Sequence, residues 1–187
     1  MGGNPGSREE TVLGHDALSG RRRHEGDEGG AIATASGLAA TSLIGYMLKP
    51  GDHIVLSNDA YGGTFRLIAK VFAEHGILWS AVDLTDANAL ASALWSETRL
   101  VWVETPTNPL LRVVDIAAVV EAAASVDAMV VVDNTFATPF LQQPLELGAD
   151  MVLHSSTKYL GGHSDTVGGA IVTSDGELLE RLNHLVK

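Results

Sequence analysis

Polar side chains that could take part in chemistry recur just after short apolar runs of this chain. Lys158 follows the run MVLHS, Asp133 ends the run MVVVD, and Asn108 lies in TPTNP after LVWVE. Tyr61, in NDAYGG, and Ser36, in ASGL, follow two further runs. A lysine can bond covalently to an aldehyde, a carboxylate can keep a ring nitrogen protonated, and an aromatic face can stack on a ring. Together these residue types suit a ring-shaped organic cofactor.

The apolar runs predict the strands of an α/β domain. They are apolar on both faces, as in a parallel sheet covered by helices on both sides. The predicted strands are Ala31–Ala35, His53–Ser57, Ile77–Val82, Leu100–Glu104, Met129–Asp133, Met151–Ser155 and Gly169–Thr173. Helical spacing predicts helices at Gly37–Leu48, Thr64–His75, Ala87–Glu97, Ile116–Ser125 and Leu141–Leu147, with Asp86 and Asp115 as N-caps. We therefore expect a three-layer α/β/α domain with a mostly parallel seven-stranded sheet.

Ligands of such sheets bind at the carboxyl ends of the strands, where these polar residues are predicted to lie. The helix after the first strand begins at Ser36, Gly37 and Leu38. Its backbone N–H groups could hold a phosphate, because a helix N-terminus binds anions. Hydroxyl groups from Ser155 and Thr157 could complete that subsite. The pattern therefore predicts a phosphate-bearing ligand.

The remaining residues match the ring of pyridoxal 5′-phosphate. Asp133 could keep its pyridine nitrogen protonated, and Tyr61 could stack on the ring. Asn108 is the candidate donor to the ring hydroxyl. Lys158, one of four lysines in the chain, is the candidate for the covalent bond to the aldehyde and for moving protons. The sequence thus predicts pyridoxal 5′-phosphate as cofactor and no metal ion.

Each of these residues also has a plain structural interpretation. Asp133 could cap the chain after its strand, and Ser36 could act only as a helix N-cap. Asn108 lies one residue before Pro109 in a turn-forming segment, Tyr61 could anchor a loop, and Lys158 could lie on the surface. The cofactor hypothesis depends on all of them occurring together, in order, at predicted strand ends.

Five motifs carry a resemblance to a known family: SGLAAT, AYGGTFR, ETPTNP, VVDNTFATP and HSSTKYLGGHSD. Over about residues 31–187 the chain resembles the Cys/Met-metabolism group of fold-type I pyridoxal-phosphate enzymes. The resemblance implies the aspartate-aminotransferase-like large domain. It also implies that Lys158 binds the cofactor covalently, that Asp133 partners the ring nitrogen, that Tyr61 stacks on the ring and that Thr135 contacts it. Gly37, Leu38, Ser155 and Thr157 would hold the phosphate, and Asn108 would meet the ring hydroxyl.

The resemblance also implies an activity. It points to γ-replacement of an O-acylhomoserine with cysteine to give cystathionine, with γ-elimination or sulfhydrylation as close alternatives. The implied partners are amino-acid substrates and further copies of the chain in a homo-oligomer. Two alternatives from other classes stay open: an inactive remnant of the fold, and a nucleotide-binding module that uses the helix after Ser36. The absence of a GxGxxG motif in the sequence weakens the second.

Composition excludes several other classes of protein. The net charge of −11 disfavours a nucleic-acid-binding surface. No apolar run approaches the ~18 residues of a membrane span, and the start MGGNPGSREE lacks the apolar region of a secretory signal. Without cysteine there is no disulfide and no thiolate nucleophile. We expect a cytoplasmic domain without nucleic-acid or membrane partners.

Domain organisation is predicted from a change in composition near residue 30. Residues 1–30 are rich in glycine and charge, which predicts a disordered tail before a cofactor-binding domain at 31–187. Compared with the family, the chain carries no Tyr-x-Arg segment ahead of SGLAAT and no C-terminal domain with an arginine for the substrate carboxylate. The domain is therefore expected to be incomplete, and the bare chain to be a weak catalyst.

The histidines and tryptophans are predicted to have structural roles. The histidines His53, His75, His154 and His163 show no metal-like spacing and are interpreted as packing or surface residues. The tryptophans Trp79, Trp95 and Trp102 are expected in the core.

Overall fold

The computed structural model describes residues 29–187 as strands that alternate with helices. The strands are β1 Gly30–Thr34, β2 His53–Ser57, β3 Leu78–Val82, β4 Thr98–Glu104, β5 Met129–Asp133, β6 Met151–His154 and β7 Gly169–Thr173. The helices are α1 Gly37–Gly45, α2 Gly62–Arg66, α3 Ala87–Ala93, α4 Ile116–Ala124, α5 Thr138–Leu141 and α6 Gly176–Val186. A π-helical turn, Leu67–Val71, and a 3₁₀ turn, Phe72–His75, extend α2, and a second 3₁₀ turn lies at Pro144–Leu147.

The seven strands form one sheet in the order β1-β7-β6-β5-β4-β2-β3. Strands β2 to β6 pair in parallel with one another, whereas β7 runs antiparallel to both β1 and β6. The predicted mostly parallel, seven-stranded sheet is therefore confirmed. Because β2, β4, β5 and β6 are parallel, their carboxyl ends meet at one edge, where the segments after them can build a site.

Apolar side chains fill both faces of the sheet. On one face, Ile44 of α1 packs in a cluster with Leu56 and Trp102 of the sheet. On the other face, Val119 of α4 belongs to a cluster with Val101 of β4. Side chains of adjacent residues in a strand point to opposite faces, so runs without polar residues supply both clusters at once. This packing confirms three layers, with helices on each side of the sheet.

Several predicted helix boundaries are wrong. The predicted helix Leu141–Leu147 does not exist: α5 ends at Leu141, and Pro144 starts a separate 3₁₀ turn. Proline lacks the N–H that would continue a helix, which explains the break. The predicted Thr64–His75 helix becomes three turns of different type, and α6, capped by Asp175, was not predicted.

Other boundaries move by fewer residues. Helices α1 and α3 end before Leu48 and Glu97, and α4 ends one residue before Ser125. Strand β1 begins at Gly30, inside the segment predicted as tail, and β6 ends at His154, before Ser155. The rest of that tail prediction, at 1–28, lies outside the described residues. The predicted N-caps Asp86 and Asp115 both accept hydrogen bonds from backbone N–H groups of their helices.

Two of the three tryptophans predicted to lie in the core do so. Trp102 is buried and Trp79 packs against the core, but Trp95 is 42 % exposed. Trp95 instead stacks on the buried ring of His53, with 3.9 Å between ring centroids. Burial lowers the pKa of His53. Among residues 29–187 there is no cluster of ligands suited to a metal ion and no helix long and apolar enough to cross a membrane.

Candidate active site

A cavity of about 210 Å³ opens where the parallel strands end. It is bordered by the start of α1 and by the segments that follow β2, β4, β5 and β6. Every residue predicted for the site lines it: Ser36, Gly37, Leu38, Tyr61, Asn108, Asp133, Thr135, Ser155, Thr157 and Lys158. Residues predicted from separate parts of the chain therefore meet in one place.

The start of α1 forms one wall of the cavity. Ser36 caps the helix, because its Oγ accepts a hydrogen bond of 3.0 Å from the Ala39 N–H. Gly37 lets the helix approach β6 closely, since a Cβ on Gly37 would lie 2.7 Å from the Ser155 Cβ. The first N–H groups of a helix have no partner within it, so this end offers donors and a positive dipole to an anion.

Asp133 stands at the end of β5 and is held by Thr135. Its Oδ1 accepts hydrogen bonds from the Thr135 N–H at 3.1 Å and from the Thr135 hydroxyl at 2.5 Å. The Thr135 hydroxyl in turn accepts one from the Ser155 N–H at 2.9 Å. Burial raises the pKa of Asp133, while the bonds from Thr135 and the charge of Lys158 act in the opposite direction.

Lys158 reaches the cavity from the turn after β6. Its Nζ donates to the Ser155 Oγ at 3.2 Å, and its backbone N–H donates to the Ser155 carbonyl at 3.1 Å. Thr157 closes this turn, since its hydroxyl both donates to the Gly168 carbonyl and accepts from the Gly168 N–H. Lys158 is exposed toward the opening, so its amine is accessible to an incoming molecule.

Tyr61 and Asn108 lie on two loops that contact each other. The Thr107 hydroxyl, beside Asn108, donates to the Asp59 carboxylate at 2.6 Å. Arg112 extends this contact, with an ion pair of 2.7 Å to Asp83 and one of 3.8 Å to Asp59. Tyr61 is 46 % exposed and forms part of the cavity lining, so its ring is open to a stacking partner.

The cavity also contains Glu104, which was not predicted as a site residue. Glu104 ends β4, is 5 % exposed and accepts a hydrogen bond of 2.7 Å from the Tyr61 N–H. Burial and the neighbouring Asp133 raise its pKa to about 8. Its position at a strand end, within the ETPTNP motif, was the available signal. Two carboxyl groups therefore share this site.

These side chains fit pyridoxal 5′-phosphate. A helix N-terminus and hydroxyl groups suit the phosphate, a buried carboxylate suits the ring nitrogen, and an amine suits the aldehyde. These groups come from different elements, yet all of them line the same cavity. The donor set matches the whole outline of the cofactor rather than one part of it.

Comparison with known proteins gives a consistent result. Cystathionine gamma-synthase of Mycobacterium tuberculosis is 58 % identical over 161 residues, which cover 84 % of this chain and 42 % of that protein. Cystathionine beta-lyase of Lactococcus lactis subsp. cremoris is 50 % identical over 160 residues, again 84 % of this chain and 42 % of that protein. The crystal structure of cystathionine gamma synthase from Xanthomonas oryzae pv. oryzae, in complex with aminoacrylate and cysteine, superposes with a TM-score of 0.86 at 44 % identity, covering 98 % of this chain and 46 % of that one.

The chain thus spans about two fifths of the length of the curated relatives described above. The family model described as Cys/Met metabolism PLP-dependent enzyme matches residues 23–187. The chain belongs to this family of pyridoxal-phosphate-dependent enzymes.

Proposed function

We propose that this chain forms the cofactor-binding part of a trans-sulfuration enzyme that joins an O-acylhomoserine to cysteine, giving cystathionine. The observation that carries the proposal is the meeting of Lys158, Asp133 and Tyr61 at one cavity. The 58 % identity to a protein named cystathionine gamma-synthase supports the choice of reaction within the family.

In this proposal the residues divide the cofactor between them. Ser36, Gly37 and Leu38 at the start of α1 hold the phosphate together with the hydroxyls of Ser155 and Thr157. Backbone N–H groups at the helix N-terminus are the main proposed donors to the phosphate.

The ring is held by a second group of residues. Asp133 keeps the ring nitrogen protonated, and Thr135 contacts the ring and orients the Asp133 carboxylate through its two hydrogen bonds. Tyr61 stacks on the ring, and Asn108 donates to its hydroxyl. When bound, pyridoxal phosphate draws electrons from the bonds at Cα of an attached amino acid. The charge of Asp133 is what sustains that property.

Lys158 is the proposed acid and base. Its amine contacts Ser155 Oγ at 3.2 Å and lies on a turn at the cavity opening, so it can take a proton from Cα and return one nearby. In γ-replacement the Cγ–O bond breaks and the acyl group leaves as a carboxylate. A Cγ–S bond then forms to the thiol of cysteine, whose proton is released. Moving protons along the substrate without loss to water is the task of Lys158.

A second reaction is supported by a specific observation, the 50 % identity to a protein named cystathionine beta-lyase. Cleavage of a C–S bond requires the same proton carrier and the same ring partner. A γ-elimination and a sulfhydrylation would use these residues as well. Incubation with O-succinylhomoserine and cysteine, compared with incubation with cystathionine alone, separates synthesis from cleavage by the product formed.

The proposed enzyme works as a homo-oligomer in the cytoplasm. Self-association is supported by exposed apolar side chains, among them Phe140, which is 90 % exposed, and Val113, which is 71 % exposed. The location is supported by the reaction class, because free amino acids and the phosphorylated cofactor are metabolites of the cell interior.

Borohydride reduction tests the central role of Lys158. Reduction fixes pyridoxal phosphate on the lysine that binds it, and peptide mapping then identifies that lysine among the four in the chain. We expect the pyridoxyl mass on Lys158 and its loss in Lys158→Arg, whereas Lys70→Arg should keep it. A mass on Lys49, Lys70 or Lys187, or none at all, would contradict the proposal.

A further inference from the structure

We propose that Glu104 is a positioning residue, which holds the loops that carry Tyr61 and Asn108 at the cavity by accepting hydrogen bonds from their backbone N–H groups. This inference rests on the proposed function, in which Tyr61 stacks on the cofactor ring and Asn108 donates to its hydroxyl. The proposed function assigns Glu104 no part in either role.

The carboxyl of Glu104 lies close to both loops. Its Oε2 accepts a hydrogen bond of 2.7 Å from the Tyr61 N–H. The nearby backbone N–H of Asn108 acts on the same carboxyl and lowers its pKa, against the larger effect of burial. Tyr61 follows β2 and Asn108 follows β4, so one side chain joins segments 47 residues apart in the sequence. Without an acceptor these two N–H groups would have to find water at the cavity wall, at a cost typical of unpaired polar groups.

The two loops also contact each other directly, but that contact differs from the one that Glu104 makes. Thr107 and Asp59 join the loops by a bond of 2.6 Å, at residues adjacent or near to Asn108 and Tyr61. That contact links side chains, whereas Glu104 binds the backbone of the two residues that face the cavity. The contact between Thr107 and Asp59 limits the distance between the loops. A hydrogen bond from Glu104 to the backbone also limits how far Tyr61 and Asn108 project from the sheet.

The charge of Glu104 depends on its surroundings. Asp133 faces it from β5 as its register partner, about one strand spacing of 4.8 Å away, and Asp59 faces it from the loop after β2. The charge of Lys158 acts on Asp133. Burial and the two acidic neighbours disfavour a charge on Glu104, while the two N–H donors favour it. A neutral Glu104 can still accept both bonds through its carbonyl oxygen, so Asp133 can keep the one negative charge of the pair.

Backbone amide resonances of the cofactor-free chain test the inference. We expect the amide signals of Tyr61 and Asn108 to move together as pH rises, with a shared midpoint near the Glu104 pKa of about 8. Glu104→Gln should abolish this shared transition while keeping both amides protected from hydrogen exchange, because a glutamine carbonyl accepts the same bonds. Glu104→Ala should lower their protection about tenfold, in line with the loss of a buried hydrogen bond. Glu121→Gln, on the exposed face of α4, serves as the matched control and should change neither signal.

Cofactor binding provides the second measurement. Glu104→Ala should weaken the binding of pyridoxal phosphate roughly tenfold and Glu104→Gln less than threefold, because only the alanine removes the acceptor. Unchanged amide protection in Glu104→Ala, or amide signals that titrate separately, would overturn the inference. If the alanine variant does not fold, the titration of the unaltered chain and of Glu104→Gln decides alone. Because the amides are measured without cofactor, a missing label on Lys158 contradicts only the proposed function.

Discussion

Asp133 is subject to two opposing demands at the scale of single residues. Its proposed task requires a negative charge, yet burial makes that charge unfavourable and raises its pKa. Thr135 offsets part of this cost with its two hydrogen bonds to Oδ1. A carboxylate placed for stability alone would lie in water. Burying Asp133 therefore lowers the stability of the fold, as is usual for residues of functional sites.

Replacing Asp133 with asparagine should therefore stabilise the cofactor-free chain at neutral pH. A buried aspartate with a raised pKa contributes most when protonated, and that contribution is lost as pH rises through the folded-state pKa. Asparagine removes this loss while keeping the shape. We expect Asp133→Asn to raise the free energy of unfolding by about 0.5–2 kcal/mol at pH 7.5, with a smaller gain at pH 5. Urea unfolding at both pH values measures the difference.

The control for this prediction is Asp86→Asn, since asparagine caps a helix about as well as aspartate does and should leave stability nearly unchanged. A lower stability of Asp133→Asn at pH 7.5 would show that the carboxylate is needed for the fold itself.

Proton exchange at Cα of a bound amino acid should slow by orders of magnitude in Asp133→Asn, because asparagine cannot sustain a protonated ring nitrogen.

At the scale of elements, the position of α1 against β6 determines the shape of the cavity. Gly37 is the point of contact, and the helix begins there with its N-terminus directed at the cavity. Ser155, just past β6, occupies the space that a side chain on Gly37 would need. Small residues at such a contact determine how near the phosphate-binding end of a helix comes to the lysine-bearing turn.

Gly37→Ala should push α1 away from the end of β6. The new Cβ would lie 2.7 Å from the Ser155 Cβ and 3.1 Å from the Ser155 Cα, and the backbone cannot yield cheaply. We expect a loss of about 1–3 kcal/mol in the free energy of unfolding, as for other overpacked sites, together with weaker binding of pyridoxal phosphate. Thermal and urea unfolding measure the first effect and fluorescence titration the second.

Gly62→Ala is the matched control for that substitution. At Gly62 a Cβ would meet only the tip of the Arg66 side chain, at 3.3 Å, so stability should stay the same or rise slightly. Removing the Ser155 side chain in the double variant Gly37→Ala/Ser155→Gly should recover part of the loss. Full additivity of the two single effects would mean that the residues do not compete for space.

At the scale of the whole molecule, several of the exposed apolar residues lie on two segments that a hydrogen bond joins. Leu110, Leu111 and Val113 follow β4, while Phe140 and Leu141 belong to α5. The Gln142 side chain joins the segments, because its Nε2 donates to the Thr105 carbonyl at 3.1 Å. Such a concentration of exposed apolar side chains is typical of an interaction surface.

Phe140→Asp should weaken self-association of the chain. Phe140 is 90 % exposed, and burying such a side chain contributes about 2 kcal/mol, so the dissociation constant for self-association should rise by roughly tenfold or more. Analytical ultracentrifugation over a range of concentrations measures this constant. Val71→Asp, an exposed apolar position on the π-helical turn after α2, is the control. Equal effects of the two substitutions would exclude a specific interface at Phe140.

Much of the fold and the candidate site was determined by the sequence alone. Runs such as MVVVD and LVWVE are apolar on both faces, which is typical of buried parallel strands, and these two strands were predicted within about two residues. The same pattern predicted that Asp133 and Lys158 would meet, because parallel strands bring their carboxyl ends together, and both residues line the cavity. Local chemistry also identified the caps at Asp86 and Asp115.

Only the tertiary structure decided the features that depend on distant neighbours. The antiparallel direction of β7 and the exposure of Trp95, which stacks on His53, depend on contacts that no local pattern contains. Glu104 is the clearest case, because its pKa is raised first by burial and then by the charge of Asp133 on the neighbouring strand β5. A glutamate at a strand end has the same local sequence whether it faces water or a second carboxylate. The difference arises only when the strands pair, since electrostatic and desolvation effects act across space rather than along the chain.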